Sequence, residues 1–181
     1  MLSDDLLRRI AGNEPIIGAA VGSGMTAAAA EEAGADLVMA LSAGYFRLQG
    51  ASTACALLPH ADANALTWDI ASRHVLTRLS RTPVVLGVCA QDPKLDVDSL
   101  LDRAADHGIA GLTNFPTVAF FDGRYRALLE AEGLGYACEL DFLARAKDRG
   151  FATVAFCLSP DEAAAAARAG IDLLCLNLGF S

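Results

Sequence analysis

Six short apolar runs recur along the chain: Pro15–Val21, Asp36–Leu41, Pro83–Cys89, Ile109–Asn114, Ala152–Leu158 and Ile171–Asn177. Apolar residues follow one another in them almost without a break and do not alternate with polar ones. Strands buried on both faces have this pattern, and parallel sheets are made of such strands. Between the runs lie Thr26–Glu32, Ala63–Leu79, Val97–Asp106, Arg124–Glu130, Leu140–Arg149 and Asp161–Ala169. Their periodicity and their alanine, leucine and arginine content predict helices. Met1 to Arg9 predicts a further, amphipathic helix.

The boundaries agree with these elements. Ser159-Pro160-Asp161-Glu162 has a serine cap, a proline at the first turn and acids suited to a helix N-terminus. Gly34, Gly108, Gly150 and Gly170 each stand between a helix and a strand, where a C-terminal cap belongs. Ala33-Gly34-Ala35-Asp36 and Ala169-Gly170-Ile171-Asp172 repeat one helix-to-strand turn. Strict β/α alternation allows a barrel or an open doubly wound sheet. Six units fall short of the usual eight of a barrel. The chain stops at Leu178-Gly179-Phe180-Ser181, directly after the sixth run. The expectation is one α/β domain over 1–181.

With 54% hydrophobic and 20% charged residues, the chain is globular and not disordered. No apolar run approaches the ~20 residues of a membrane helix. The N-terminus lacks the apolar core of a signal peptide, so a cytoplasmic location is expected. A net charge of −8 with two lysines, Lys94 and Lys147, argues against nucleic acid as a partner. A small anionic substrate would have to be met by an arginine or by helix N-termini. The five cysteines, Cys55, Cys89, Cys138, Cys157 and Cys175, form no C-x-x-C pair. They read as free, mostly buried thiols.

Candidate chemistry gathers after the runs, where α/β proteins bind ligands. The stretch Asn114–Gly123 carries the Asn114 amide, the Thr117 hydroxyl and the Asp122 carboxylate, and Pro116 forces a loop. Asp122 is either a ligand-facing acid or a helix cap. Gly22-Ser23-Gly24 ends the first run and could offer backbone N–H groups to an anion. The matching dinucleotide pattern wants an acid after the second run, and Met39–Gly44 has none. Arg47 has the planar fork that grips carboxylates and phosphates. Asp62 is either a helix cap or the partner of His60 in acid/base work. Asp92 precedes a proline and could bind a divalent metal with Asp122 or Glu139. Glu139 is a general base or a cap, and Cys89 has no evident histidine partner.

Together these loops resemble the phosphoenolpyruvate hydrolase-like family of TIM barrels, also described as a TIM-barrel signal transduction domain. The resemblance rests on Glu14-Pro15-Ile16-Ile17-Gly18, Gly22-Ser23-Gly24, Glu31-Glu32-Ala33-Gly34 and Leu57-Leu58-Pro59 with Ala61-Asp62-Ala63-Asn64. It continues through Gly87-Val88-Cys89-Ala90, Asp92-Pro93, Asn114-Phe115-Pro116-Thr117-Val118 and Asp122-Gly123. It ends at Gly133-Leu134-Gly135-Tyr136, Glu139 and Pro160-Asp161-Glu162-Ala163. Three departures stand out. Ser42-Ala43-Gly44-Tyr45 replaces Asn-Ser-Gly-Arg, with Arg47 retained, and Asn177-Leu178-Gly179-Phe180 replaces a His-Met-Gly-Leu-like end. Two of the eight β/α units are missing.

The resemblance implies a barrel related to phosphoenolpyruvate mutase and isocitrate lyase-like enzymes, with six of eight units present. It implies a hydrolase or lyase acting on a small phosphorylated or 2-oxo acid, with Mg²⁺ as the cofactor it suggests. Arg47 would bind the substrate carboxylate, and Asn114, Thr117 and the Gly22–Gly24 amides would orient the anion. Asp92, Asp122 and Glu139 would hold a metal or move protons. The alternative is a non-catalytic ligand-binding or signal-transduction domain, or a degenerate remnant. Two unpaired sheet edges would favour a homo-oligomer, and no membrane contact is expected.

Overall fold

The computed structural model describes residues 4–12 and 14–179. All six expected strands form, in the expected order: β1 Gly18–Val21, β2 Leu37–Ala40, β3 Val84–Gly87, β4 Gly111–Thr113, β5 Ala152–Cys157 and β6 Leu173–Leu176. They make one parallel sheet in which each strand lies beside the next in sequence. A doubly wound sheet reverses strand order at a switch point. This one does not reverse, so of the two folds that alternation allows, the chain adopts the barrel type, curled and incomplete.

The helices are α1 Asp4–Ala11, α2 Gly24–Glu32, α3 Ser42–Leu48, α4 Ala63–Asp69, α5 Val97–Asp106, α6 Gly123–Ala131, α7 Tyr136–Asp148 and α8 Pro160–Arg168. α4 runs on as a π-helical turn over Ile70–Val75, so the long predicted helix is present but changes pitch midway. Of the predicted N-terminal helix, Met1–Ser3 lie outside the described residues. α3 had no sequence signal. It has seven residues, a glycine inside it and Leu41 at its N-cap without a side-chain capping bond. α7 begins at Tyr136, ahead of the expected start at Leu140.

The two faces of the sheet bury different layers. Val38, Val84, Leu86, Leu112 and Ala155 face outward onto helix residues such as Leu101, Ala104, Leu143 and Ala166. Alternate positions Leu37, Val85 and Val154 meet on the inner face with Leu173 and Cys175. Toward the carboxyl ends of the strands, Leu41, Phe115 and Phe156 close the lumen, with the Phe115 and Phe156 rings 5.4 Å apart. Below, Leu6 of α1 packs on Ala110. The outer side of β6 is less covered, with Leu174 and Leu176 exposed.

The repeated Ala-Gly-x-Asp turn has one physical purpose. Gly34 and Gly170 both take positive φ, +85° and +74°, which glycine adopts at little cost. The aspartate that follows then reaches back to the preceding strand. Asp36 accepts from the Ile17 N–H at 2.8 Å, and Asp172 from the Thr153 N–H at 2.9 Å. A cation seals each: Arg9 pairs with Asp36, and Lys147 lies 2.7 Å from Asp172. Hydrogen bonds from Arg9 and the Ile17 amide hold the Asp36 carboxyl below its usual range.

β1 and β2 are joined at their upper ends by glycine. A Cβ on Gly22 would stand 2.1 Å from the Gly44 carbonyl carbon, and one on Gly44 would stand 2.4 Å from the Val21 oxygen. Both obstacles are main chain, so neither can yield. Gly22→Ala and Gly44→Ala should each cost at least the ~1–3 kcal/mol of an overpacked core. For a chain of this size that lowers Tm by roughly 2–4 °C per kcal/mol. Unchanged calorimetric midpoints would show that the two strand ends can part.

Candidate functional site

The carboxyl ends of β3 and β4 lead into two loops held together by one buried acid. Glu139 sits in the first turn of α7 and is fully buried. It is turned inward and does not cap the helix. Its Oε1 accepts from Gln91 Nε2 at 2.5 Å and from the Val118 N–H at 2.7 Å. Its Oε2 accepts from Asn114 Nδ2 at 2.5 Å and from the Thr117 hydroxyl at 2.6 Å. None of the four partners is a cation. Loss of hydration raises the carboxyl and the four donors pull it back down; burial wins, leaving it at about 7 against an ordinary 4.5.

Two asparagines set the loop ends. Asn114 follows the last ladder residue of β4 and is fully buried. Its Oδ1 accepts from the Phe156 N–H at 2.7 Å while its Nδ2 donates to the Phe156 carbonyl at 3.3 Å. The side chain thus continues the β4–β5 ladder after the main chain has turned away. Asn64, in the first turn of α4, makes the same pair of bonds to Cys89, two residues beyond β3. Its Oδ1 accepts from the Cys89 N–H at 2.8 Å and its Nδ2 donates to the Cys89 carbonyl at 3.1 Å. Tyr136 adds its hydroxyl to the Phe156 carbonyl at 2.9 Å. Arg126 of α6 holds the Val118 carbonyl at 2.8 Å, and the Phe115–Pro116 bond between these anchors is cis.

A cavity of about 440 Å³ opens beside this network. Asp62, Gln91, Asp92, Lys94 and Thr117 give it a polar end, and leucine, proline, valine and aromatic side chains line the rest. Asp62 caps α4 through the Ala65 N–H at 2.8 Å and also meets Lys94 at 3.2 Å. Both bonds lower its pKa, the backbone one most. Asp92 accepts from Asn64 at 3.3 Å and from the Lys94 N–H at 2.9 Å. Cys89 also lines the cavity, but burial pushes its thiol up to about 11, so it is not a ready nucleophile.

The candidate residues therefore fall into three groups. Asp62, Asp92 and Thr117 line the cavity, and Asn114 and Glu139 stand directly behind it. Gly22, Ser23, Gly24 and Arg47 lie apart, over β1 and β2. Ser23 caps α2 in a reciprocal capping box with Thr26, and Gly24 packs on the His74 carbonyl. Arg47 makes long bonds to the Thr53 hydroxyl, 3.4 Å, and the Ala20 carbonyl, 3.3 Å. Asp122 is the exposed N-cap residue of α6 without a side-chain capping bond, and it does not line the cavity. His60 packs edge-on against Phe46 at 5.4 Å, while Asp62 turns to Lys94. Gln91, Lys94 and Asn64 belong to the site although sequence reasoning gave them no role. The Asp92 neighbourhood and the Asp-Ala-Asn spacing were the signals available.

Among the described residues no group of three or more His, Cys, Asp and Glu side chains is placed to hold a metal ion. Asp92, Asp122 and Glu139 thus form no such group, and the oxygens of Asp92 are already engaged by Asn64 and Lys94. No helix among the described residues is long and apolar enough to cross a membrane.

The model of a family described as phosphoenolpyruvate hydrolase-like matches residues 1–181. The chain belongs to that family. A similar curated protein is the ToMV resistance protein Tm-1(GCR237) of Solanum lycopersicum, 39% identical over 173 residues. That match covers 96% of this chain and 23% of the tomato protein, so this family member spans about a quarter of that relative's length. Among solved structures, phosphoenolpyruvate phosphomutase from Streptomyces platensis subsp. rosaceus superposes with a TM-score of 0.61 at 19% identity. The match covers 94% of this chain and 62% of the mutase. A phosphonopyruvate hydrolase, solved with oxalate and Mg²⁺, gives 0.51 at 12% identity over 93% of this chain and 77% of its own. At these identities the likeness is one of fold.

The raised Glu139 carboxyl sets a pH dependence. Below about 4.5 the group is protonated both folded and unfolded, and its full contribution to stability is present. As pH rises from 4.5 toward 7 the unfolded chain ionises first, so that contribution is lost, by about 3 kcal/mol in all. In urea melts at pH 5 and pH 8, Glu139→Gln should remove this part of the slope. A variant as pH-dependent as the wild type would rule out the assigned shift.

Proposed function

We propose that this family member is an enzyme acting on a small phosphorylated or 2-oxo acid, bound in the cavity over β3 and β4. The observation that most supports this is the 2.6 Å hydrogen bond joining Thr117, which lines the cavity, to the buried Glu139. A general acid or base works best with a pKa near the operating pH, and Glu139 stands at about 7.

The chemistry follows from which partners can reverse. Gln91, Asn114 and the Val118 amide only donate to Glu139, and Asn114 is fixed by Phe156. Thr117 donates to Glu139 and at the same time accepts, from the Ala119 N–H at 3.1 Å, and a hydroxyl has lone pairs enough to accept twice while donating. A water at Thr117 gives its proton to Oγ1 while Oγ1 passes its own proton to Glu139 Oε2. The hydroxide so formed attacks the phosphoryl or carbonyl centre. The bond from that centre to the leaving group breaks, P–O in a phosphorylated acid or C–C in a 2-oxo acid, and the same path in reverse returns the proton to the leaving oxygen or carbon. Lys94 is the cation on the cavity wall that can meet the substrate's acid group.

A second reading is a non-catalytic ligand-binding or signal-transduction domain. Asp62 and Asp92 favour it, because two acids at the polar end oppose an anion, and so do the four protein donors already filling Glu139.

Assays of phosphate release from phosphoenolpyruvate and of turnover of 2-oxo acids test the enzymatic reading. Thr117→Val should lower kcat by roughly 10²–10⁴-fold, the range of acid–base catalysis. Thr117→Ser keeps the hydroxyl and should retain most of the rate. The wild-type rate should rise with pH through about 7 as Glu139 ionises. Thr117→Val turning over like the wild type would sink the relay, and calorimetric binding without turnover would favour the second reading.

A further inference from the structure

The cavity over β3 and β4, about 440 Å³, falls in the ~300–1,000 Å³ range that houses whole small ligands. A three-carbon acid fills a small part of it. The polar groups cluster at one end. The rest lies between the Leu57-Leu58-Pro59 turn on one side and Phe121, Tyr125 and Leu129 on the other. The Phe121 and Tyr125 rings meet edge-on at 5.1 Å, which makes a firm aromatic wall.

Charge at the polar end cannot hold an acid tightly. Lys94 is the one cation among the lining residues, and Asp62 already pairs with it at 3.2 Å. Asp92 adds a negative charge. An acid group reaching Lys94 must share it with Asp62 or displace Asp62, and gains little either way. Affinity then has to come from the apolar walls. We infer that the ligand carries, beside its acid group, an apolar substituent, an alkyl chain or an aromatic ring, lying between the 57–59 turn and the face of α6. This rests on reading the cavity as the substrate site.

Calorimetry with pyruvate, 2-oxobutanoate, 2-oxohexanoate, 2-oxooctanoate and phenylpyruvate tests it, alongside the matching methyl ketones, which lack the carboxylate. Each added methylene should tighten binding by about fourfold, the transfer energy of one CH₂. Leu58 and Tyr125 are 55% and 56% exposed, so Leu58→Ser with Tyr125→Ser should fold normally. That variant should flatten the dependence on chain length. Asp62→Asn keeps a good helix cap and frees Lys94. It should tighten every acid by a similar factor and no ketone. A flat or weakening acid series overturns the inference while leaving an acid site in place. Ketones that tighten while acids fail to bind uphold the apolar ligand and sink the acid reading. Binding of neither series overturns both.

Discussion

The Glu139 carboxylate is the contact on which the upper part of this molecule depends. Its four donors come from two loops that share no ladder with α7. Removing a carboxylate from water is costly, and only a full set of donors makes burial tolerable. The loops after β3 and β4 therefore have to converge on one point in space. Asn114, Thr117 and Val118 are fixed by that demand on one side and by Phe156 and Arg126 on the other. None of those donors is a cation; they pull the carboxyl's proton affinity down, and burial keeps it high.

The inner face of the sheet ends in Leu41, Phe115 and Phe156, which close the lumen with apolar side chains. Glu139 and its donors lie between the strand ends and α7, and the cavity beside them is walled by the loops after β3 and β4, the 56–63 segment and α6. The two clusters of loop residues that look contiguous in sequence separate for this reason. Gly22–Gly24 and Arg47 serve the packing and capping of β1, β2 and α2, while Asp62, Asp92 and Thr117 surround the cavity.

Much of this architecture is legible in the sequence, because it is written in local patterns. Unbroken apolar runs gave all six strands, and Ser159-Pro160 and Asp62 marked helix starts that the structure contains. Strand order needed the fold itself, since alternation fits both a barrel and a doubly wound sheet. α3 escaped because seven residues with an internal glycine and no polar cap carry no local signal. Glu139 was visible as an acid near a helix start, but its inward turn was not. Its donors lie 48 and 25 residues away at Gln91 and Asn114, a distance no periodicity reports. The close packing of Gly22 on Gly44 was hidden for a related reason. A glycine needed for a neighbouring glycine looks, in one dimension, like a glycine needed for an anion.

Asn114 and Asn64 each stand in for a peptide group, offering one acceptor and one donor to a single backbone residue, Phe156 on β5 for Asn114 and Cys89 just beyond β3 for Asn64. A rung made from a side chain frees the main chain from the pitch of the sheet one step early. The loops after β3 and β4 can then follow routes set by their own contents while the strands below keep register. Such a rung is also polar in the strict sense. Aspartate would match its outline and fail it, because the outline offers two acceptors where the neighbouring carbonyl needs a donor. The boundary between scaffold and loop in this protein is thus drawn by amide chemistry and not by the end of the strand.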